Sequence, residues 1–477
     1  VICCGDLQCS QRYLWDQDMA RKVILLSLIV PLPGILGHAI GLANKQAFIL
    51  SVFSLSVLGT LLFWDLRLSF VFVGSGILFL TRSVDLRHFI EFASLDVILF
   101  LIGMMIVVGA MKEAGVFHWL VAFLLHRRSL SGLRLFIIIM VLSAVLSGLT
   151  GEVTSIIVMV AVILDICRSI KIDPTPLVIS SVLTTNIGSA STLLGNPIGI
   201  LIALRGGLTF EDFLTRALPL ALVVLAATIA ILCIWYKDYI RDISSRLAAQ
   251  EKAESVTRPV SLGSSEMVSV ALFVLMIVLI ALHERLETLF GITENGLLIM
   301  LPVVFAGLVM FYRPDKARQY VEREVEWSSL LFFMFLFAQA GVIQSSGVAE
   351  FLAKRLVEGT GTHPRLVSAV TLFSSGILSG ILDNTVVVAS YIPVVKNLHL
   401  LHFGLKPLWW CLLFGACFGG NITAIGSTAN IVALGLLEKE HSRKIDFVEW
   451  LKLGLTVGIL SLVISYLAVS FVPVFSR

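Results

Sequence analysis

Apolar runs follow one another along almost the whole chain, at 23–42, 46–64, 68–80, 95–111, 135–164, 177–204, 217–236, 267–283, 296–312, 328–343, 366–395, 408–437 and 453–473. Such runs predict membrane-spanning α-helices, each needing ~20 apolar residues to cross ~30 Å of hydrocarbon. The segments 135–164 and 366–395 are too long for one straight span, and both have polar middles. The first reads Ser147-Gly-Leu-Thr150-Gly-Glu152-Val-Thr154-Ser155, the second Ser379-Gly-Ile-Leu-Asp383-Asn384-Thr385. A re-entrant hairpin folded at this middle explains length and polarity together. Its tip must be buried in protein or face a water-filled cavity.

Two other runs are interrupted in a different way. Thr184-Thr185-Asn186-Ile-Gly188-Ser-Ala-Ser191-Thr192-Leu-Leu-Gly195-Asn196-Pro197 and Gly419-Gly420-Asn421-Ile-Thr423-Ala-Ile-Gly426-Ser427-Thr428-Ala-Asn430 interleave glycine with small polar residues. That mixture unwinds a helix in mid-span and supplies hydroxyl, amide and backbone ligands. Gly188, Gly195, Gly419 and Gly426 are therefore expected to border non-helical backbone. The competing reading is close packing of small residues between helices. Recurrence at equivalent places argues against it.

The recurrence is regular. Ser143-Ala-Val-Leu-Ser147-Gly148 returns as Ser375-Gly-Ile-Leu-Ser379-Gly380, an offset of 232, and Phe100, Gly109 and Gly115 fall on Phe332, Gly341 and Gly347. The glycine-rich segments follow at an offset of 231. Each copy holds a span (95–111; 328–343), a short amphipathic stretch (Val116–His126; Val348–Val357), a hairpin, a broken span and a final span. An odd number of crossings between the copies predicts inverted repeats. The expected organisation is an N-terminal extension, disordered, at 1–18; N-terminal transmembrane helices at 19–94; repeat 1 at 95–236; a polar loop at 237–266; connecting helices at 267–326; and repeat 2 at 327–477. The fold class is an all-α polytopic membrane protein with two inverted repeats, re-entrant hairpins and broken transmembrane helices.

Composition narrows the picture. Hydrophobic residues make up 57% of the chain and charged residues 14%, against about 25% charged in soluble domains. Mean hydropathy is +0.96. The net charge of +3 is spread over loops, so nucleic acid is not an expected partner. Lys237, Arg241, Arg246, Lys252 and Arg258 bias the polar loop toward the cytoplasm. Trp64, Trp235, Tyr236, Trp327, Trp409, Trp410 and Trp450 sit at run edges, as interfacial aromatics do. The seven cysteines form no metal-binding spacing. No nucleophile–base or metal set is visible, so an enzyme is not expected. The sequence has no phosphate loop, and ATP would act only through a soluble ATPase subunit.

Glu152 and Asp383 are the sharpest single residues, because an intramembrane carboxylate costs ~2.5–3.5 kcal/mol even on the gentlest scale. The competing reading is that they only satisfy backbone N–H groups of the hairpins. The copies are not symmetric here: at the 232 offset Gly151 faces Asp383 and Glu152 faces Asn384. The candidate ion- and substrate-binding set is Thr150, Glu152, Thr154, Asn186, Gly188, Ser191, Thr192, Gly195, Asn196, Asp383, Asn384, Thr385, Gly420, Asn421, Thr423, Gly426, Ser427 and Asn430. Asp96 and Asp165, near span ends, read as caps or interface charges.

At these four segments the chain resembles the ion transporter superfamily, on the branch of arsenite permeases, NhaD-type sodium/proton antiporters and the melanosomal P protein, whose members are often described as citrate-transporter-like. Leu382-Asp383-Asn384-Thr385 is similar to that branch's hairpin tip, and Asn186-Ile-Gly188 through Gly195-Asn196-Pro197 and Gly426-Ser-Thr-Ala-Asn430 resemble its broken-span motifs. The chain departs from the pattern at Gly151-Glu152, Asn196 and Ile198, which points to Asp383 as the coupling carboxylate. The resemblance implies a proton- or sodium-coupled secondary transporter of a small inorganic ion or oxyanion, either arsenite/antimonite efflux or Na⁺/H⁺ exchange. Na⁺ would sit at Asp383, Asn384 and Thr423, with no other cofactor. Sodium-coupled carboxylate import, or a channel or membrane sensor, are the alternatives. The expected setting is the prokaryotic inner membrane, with the lipid bilayer, the small ion and a second copy of the chain in a homodimer as partners.

Overall fold

The computed structural model describes residues 19–117, 119–120, 131–251, 264–361, 363–399, 404–441 and 447–475, which form helices and short connections with no strand among the described residues. The extension at 1–18, most of the stretch Val116–His126 and residues 252–263 of the polar loop lie outside the described residues. Eight of the described helices are long and apolar enough to cross a membrane. The chain is an all-α, multi-pass membrane protein.

Cα packing divides it into two compact units, of which the first comprises residues 1–95, 327–359 and 396–401. Here the opening span of the second repeat, Trp327–Ser345, packs on the N-terminal helices. Gln339, fully buried on this span, donates to Val71 O (2.9 Å) and Ser75 Oγ (3.0 Å) of the helix Arg67–Leu80. Arg67 reaches Ser329 Oγ at 2.9 Å. The second predicted amphipathic stretch is the helix Val348–Thr360, with Val348, Ala349 and Ala353 buried on one face and a Glu350–Lys354 pair at 2.8 Å outside it.

The second unit holds residues 96–326, 360–395 and 402–477. Its first hairpin is α1 (Gly132–Thr150) and α2 (Glu152–Ile170), joined by Gly151 alone. Gly151 has φ +92°, a region open to glycine and strained for L side chains. Ser155 Oγ donates to Ser143 O at 3.2 Å, whereas a continuous helix would hold these residues roughly 18 Å apart. The chain therefore reverses at Gly151. The broken span follows as α3 (Thr175–Ser189) and α4 (Pro197–Gly206). Glu152 N donates to Gly195 O at 3.0 Å, so the hairpin tip meets the break. From there α4 runs on for about 15 Å, which makes the hairpin re-entrant.

The second repeat is built the same way. Its hairpin is α5 (Pro364–Ser379) and α6 (Asn384–His399), and Tyr391 OH bonds to Ser374 Oγ across the turn at 2.8 Å. Its broken span is α7 (Leu405–Gly419) and α8 (Thr428–His441). The two broken spans run antiparallel. Gly206 at the end of α4 abuts Trp409 near the start of α7, Asn196 Nδ2 lies 3.2 Å from Cys417 Sγ, and Asn186 Nδ2 lies 2.9 Å from Asn430 Oδ1. As the number rises along one span it falls along the other, so the repeats are inverted.

Two sequence expectations are corrected here. The polar loop is helical from Lys237 to Glu251. Ile240 and Ile243, three residues apart, are buried, and Ser244 Oγ accepts the N–H of Gly132 at 3.0 Å. The polar composition hid this apolar stripe, which docks the helix on the first hairpin. Trp409, Trp410 and Trp450 are fully buried instead of interfacial. Trp410 stacks on Phe414 (centroids 5.9 Å) and meets Phe213 edge-on (5.2 Å). Tertiary packing overrides their position at a run edge.

Candidate functional site

Each hairpin is fastened to its broken span by one seam. A Cβ on Gly188 would lie 2.1 Å from Ala144 O, and one on Gly419 would lie 2.1 Å from Gly376 O. Only glycine admits backbone this close. A turn later the Thr192 hydroxyl donates to Gly148 O and the Thr423 hydroxyl donates to Gly380 O. Each threonine oxygen also accepts an N–H two residues on, from Leu194 at 3.1 Å and Ile425 at 3.3 Å. The seams therefore match residue for residue. Non-helical backbone runs from Ala190 to Asn196 and from Gly420 to Ser427, so the four glycines border the breaks as expected.

The breaks are joined by amides. Asn186 Nδ2 donates to Asn421 Oδ1 (2.8 Å) and Asn430 Oδ1 (2.9 Å). Asn421 Nδ2 donates to Leu183 O (3.1 Å), and Asn430 Nδ2 to Gly420 O (2.8 Å) and Thr423 O (2.9 Å). All three asparagines are fully buried. The Trp450 indole donates to Asn421 O at 3.3 Å.

The hairpin tips bring their carboxylates to this junction. Asp383 is buried at 7% exposure; Oδ1 accepts Thr385 N (2.9 Å) and Oδ2 accepts the Thr428 hydroxyl (2.6 Å). Asn384, its amide oriented by its neighbours, sets Nδ2 within hydrogen-bond reach of Ser379 Oγ (2.6 Å), Ala416 O (3.1 Å) and Gly426 O (2.9 Å), three acceptors for its two hydrogens. Glu152, at 6% exposure, opens α2. The hydroxyls of Ser189 and Ser427 flank its carboxyl, and Asp383 is near enough for the two charges to interact. Glu152 Oε2 has no hydrogen-bond partner among the described residues, and neither has Asn186 Oδ1.

Most of the predicted residues are gathered here. Asn196 caps α4 through Gly199 N (2.7 Å) and donates to Ser189 Oγ (2.9 Å). Gly195, Gly420 and Gly426 form the breaks, and Ser191 bonds to Gly188 O at 2.6 Å. Thr150 lies at the tip with its hydroxyl on Leu146 O of its own helix (2.9 Å). Thr154, half-buried, is not drawn into the network. Asp96 pairs with Arg205 at 3.1 Å and Asp165 with Arg168 at 3.6 Å, both away from the tips. Ser189, Ser379, Thr428 and Trp450 belong to the site but were not singled out. Ser379 carries a signal, since it repeats Ser147; Trp450 carries none.

Paired re-entrant hairpins against two antiparallel broken helices define a membrane transporter of the inverted-repeat kind. The chain belongs to the citrate transporter (CitMHS) family, which matches residues 48–415 and again 333–475. An uncharacterised transporter of Mycobacterium tuberculosis is 33% identical over 78% of this chain and 84% of its own length. The P protein of Homo sapiens is 27% identical over 82% of this chain and 55% of its own length, in keeping with the branch the motifs resemble. The crystal structure of the Alcanivorax borkumensis YdaH transporter shares the fold, with a TM-score of 0.51 at 16% identity, covering 80% of this chain and 85% of that one.

Proposed function

We propose that the chain is a secondary active transporter of the prokaryotic inner membrane that moves a small inorganic ion or oxyanion, by arsenite/antimonite-type efflux or Na⁺/H⁺ exchange, coupled to H⁺ or Na⁺. The observation that carries this reading is the burial of Glu152 and Asp383 at the two hairpin tips, against breaks in two antiparallel helices. A buried carboxylate favours a cation or proton beside it. Backbone that reverses in mid-membrane can present that ion to either side as the hairpins shift.

The family description favours a second reading, sodium-coupled citrate-like import. Charge weighs against it. None of the candidate site residues is Lys, Arg or His, and a tricarboxylate beside two carboxylates would need cations to bring it in. Growth decides between them. A bacterial strain lacking its own arsenite efflux and Na⁺/H⁺ exchangers should regain tolerance to arsenite, antimonite, Na⁺ or Li⁺ when it expresses this chain. Citrate-dependent growth without any such tolerance would reject the inorganic-ion reading.

A further inference from the structure

The first unit holds an open cavity of about 730 Å³, within the range of small-molecule sites. It lies on the segment 81–94, which leads from the apolar helix Arg67–Leu80 into the spanning helix Leu95–Glu113. A segment that enters a spanning helix sits at the edge of the hydrocarbon. Leu80 and Leu86 line the cavity and are 82% and 59% exposed, so apolar surface is left bare where acyl chains run. Arg82 and Asp85 line it too. No ion pair joins these opposite charges, and the Arg82 side chain has no partner among the described residues. Asp85 caps its own helix: Oδ1 accepts His88 N (2.9 Å) and Oδ2 pairs with the His88 ring (2.6 Å). A carboxylate so engaged keeps further lone pairs for another donor. The backbone of Arg82 is also unusual. Its φ is +53°, and Arg82 N to Phe79 O (3.0 Å) and Ser83 N to Leu78 O (2.9 Å) close the helix around it. Glycine is usual at that place, and an arginine there points to a use for its side chain. At the 232 offset, the basic residues of the second repeat are paired instead: Arg313 and Lys316 with Glu113 (both 3.6 Å), and Arg318 with Glu322 (2.7 Å).

We infer that this cavity binds a phospholipid whose headgroup carries a primary ammonium, of the phosphatidylethanolamine class, with its phosphate on Arg82, its ammonium at Asp85 and an acyl chain along Leu80 and Leu86. The guanidinium fork matches phosphate oxygens. An ammonium brings three N–H donors to the acceptor sites left on Asp85. A choline headgroup has the charge without the donors, and a glycerol headgroup has donors without the charge. A headgroup of zero net charge suits a cavity whose two charges balance. Ser345, at the end of the span Trp327–Ser345, lines the same cavity, so a bound lipid would brace that span against the connection at 81–94. The site stands apart from the hairpins and does not depend on what the chain transports.

Lipid binding to the delipidated full chain in detergent, read by native mass spectrometry, tests the site. Dioleoyl phosphatidylethanolamine, phosphatidylcholine and phosphatidylglycerol are titrated separately, and the first bound lipid is followed. Phosphatidylethanolamine should bind at least about fivefold more tightly than either of the others, as a charge-assisted hydrogen bond allows. Arg82→Asn, a residue that tolerates the left-handed backbone, should weaken all three by about tenfold. Asp85→Asn keeps the helix cap and should erase the advantage of phosphatidylethanolamine over phosphatidylcholine. Arg87→Gln, a neighbouring charge outside the lining, should bind as wild type does. Soluble phosphoethanolamine at equal concentration should not displace the lipid, because it lacks the acyl chains. If Arg82→Asn does not fold, the lost preference in Asp85→Asn carries the comparison. Equal binding of the three lipids, a preference kept in Asp85→Asn, wild-type binding in Arg82→Asn, or a loss in Arg87→Gln as deep as in Arg82→Asn overturns the inference. Displacement by phosphoethanolamine would overturn it too, by giving the cavity to a soluble ligand.

Discussion

The two hairpins meet their broken helices through the same contacts and part company one turn further on. At both seams a glycine lies on a backbone carbonyl, and a threonine hydroxyl closes the end of the hairpin's first arm. At the tips, both Asp383 oxygens and the Asn384 amide nitrogen have partners, while Glu152 keeps an oxygen without one. Glu152 and Asn384 occupy equivalent positions, so the same place holds an ionisable carboxyl in one copy and an amide strut in the other. The difference shows which constraint acts where. Backbone packing at the seam admits few residue types, so both copies keep it. The tip needs only a polar group that finds a partner, and the copies can divide the work.

The largest effects should come from attacking what the copies share. Gly188→Ala or Gly419→Ala places a methyl group 2.1 Å from a carbonyl oxygen. Backbone cannot yield as a side chain would, so each should cost about 3 kcal/mol or more, read as a large drop in melting temperature and in monodisperse yield. The two variants should suffer alike. A Gly419→Ala protein that melts like wild type would break the equivalence of the seams.

That equivalence was legible in the sequence because glycine and small polar residues are rare enough in apolar runs to mark both copies. The hairpins, the breaks and the inversion could be read from segment length, polar middles and the parity of crossings. Pairing at atomic level could not. Asp383 stood out by its Leu-Asp-Asn context, but nothing in that string says that Thr428, 45 residues away, covers its second oxygen. Ser189 and Ser427 lie in different repeats, and only the antiparallel crossing brings them to one carboxyl. The tryptophans misled for the opposite reason: position at the edge of a run predicts an interface only when no neighbouring helix covers the ring.

A smaller effect separates the tips. Asp383→Ala leaves Thr385 N and the Thr428 hydroxyl without their acceptor, and should destabilise the protein by about 1–3 kcal/mol. Glu152→Gln removes a buried carboxyl whose Oε2 has no partner, and should leave the melting temperature unchanged or raise it. A destabilised Glu152→Gln alongside an unaffected Asp383→Ala would invert the assignment and make Glu152 the strut.

The smallest effect asks whether the two seams, alike in contacts, are alike in strength. Thr192→Val and Thr423→Val keep shape and remove the hydroxyl, so each loses its bond to the hairpin carbonyl and leaves the N–H of Leu194 or Ile425 unmatched. Each bond is worth about 0.5–1.5 kcal/mol. Thr192 is buried, whereas Thr423 is half-buried beside exposed Ile425. The more open surroundings of Thr423 leave room for another group to take the lost partner's place, and those of Thr192 do not, so Thr192→Val should cost more. Melting temperatures should rank wild type, Thr423→Val, Thr192→Val in falling order. Hydrogen exchange should quicken at the Leu194 amide far more than at Ile425. The opposite order would mean that the second seam is the tighter one.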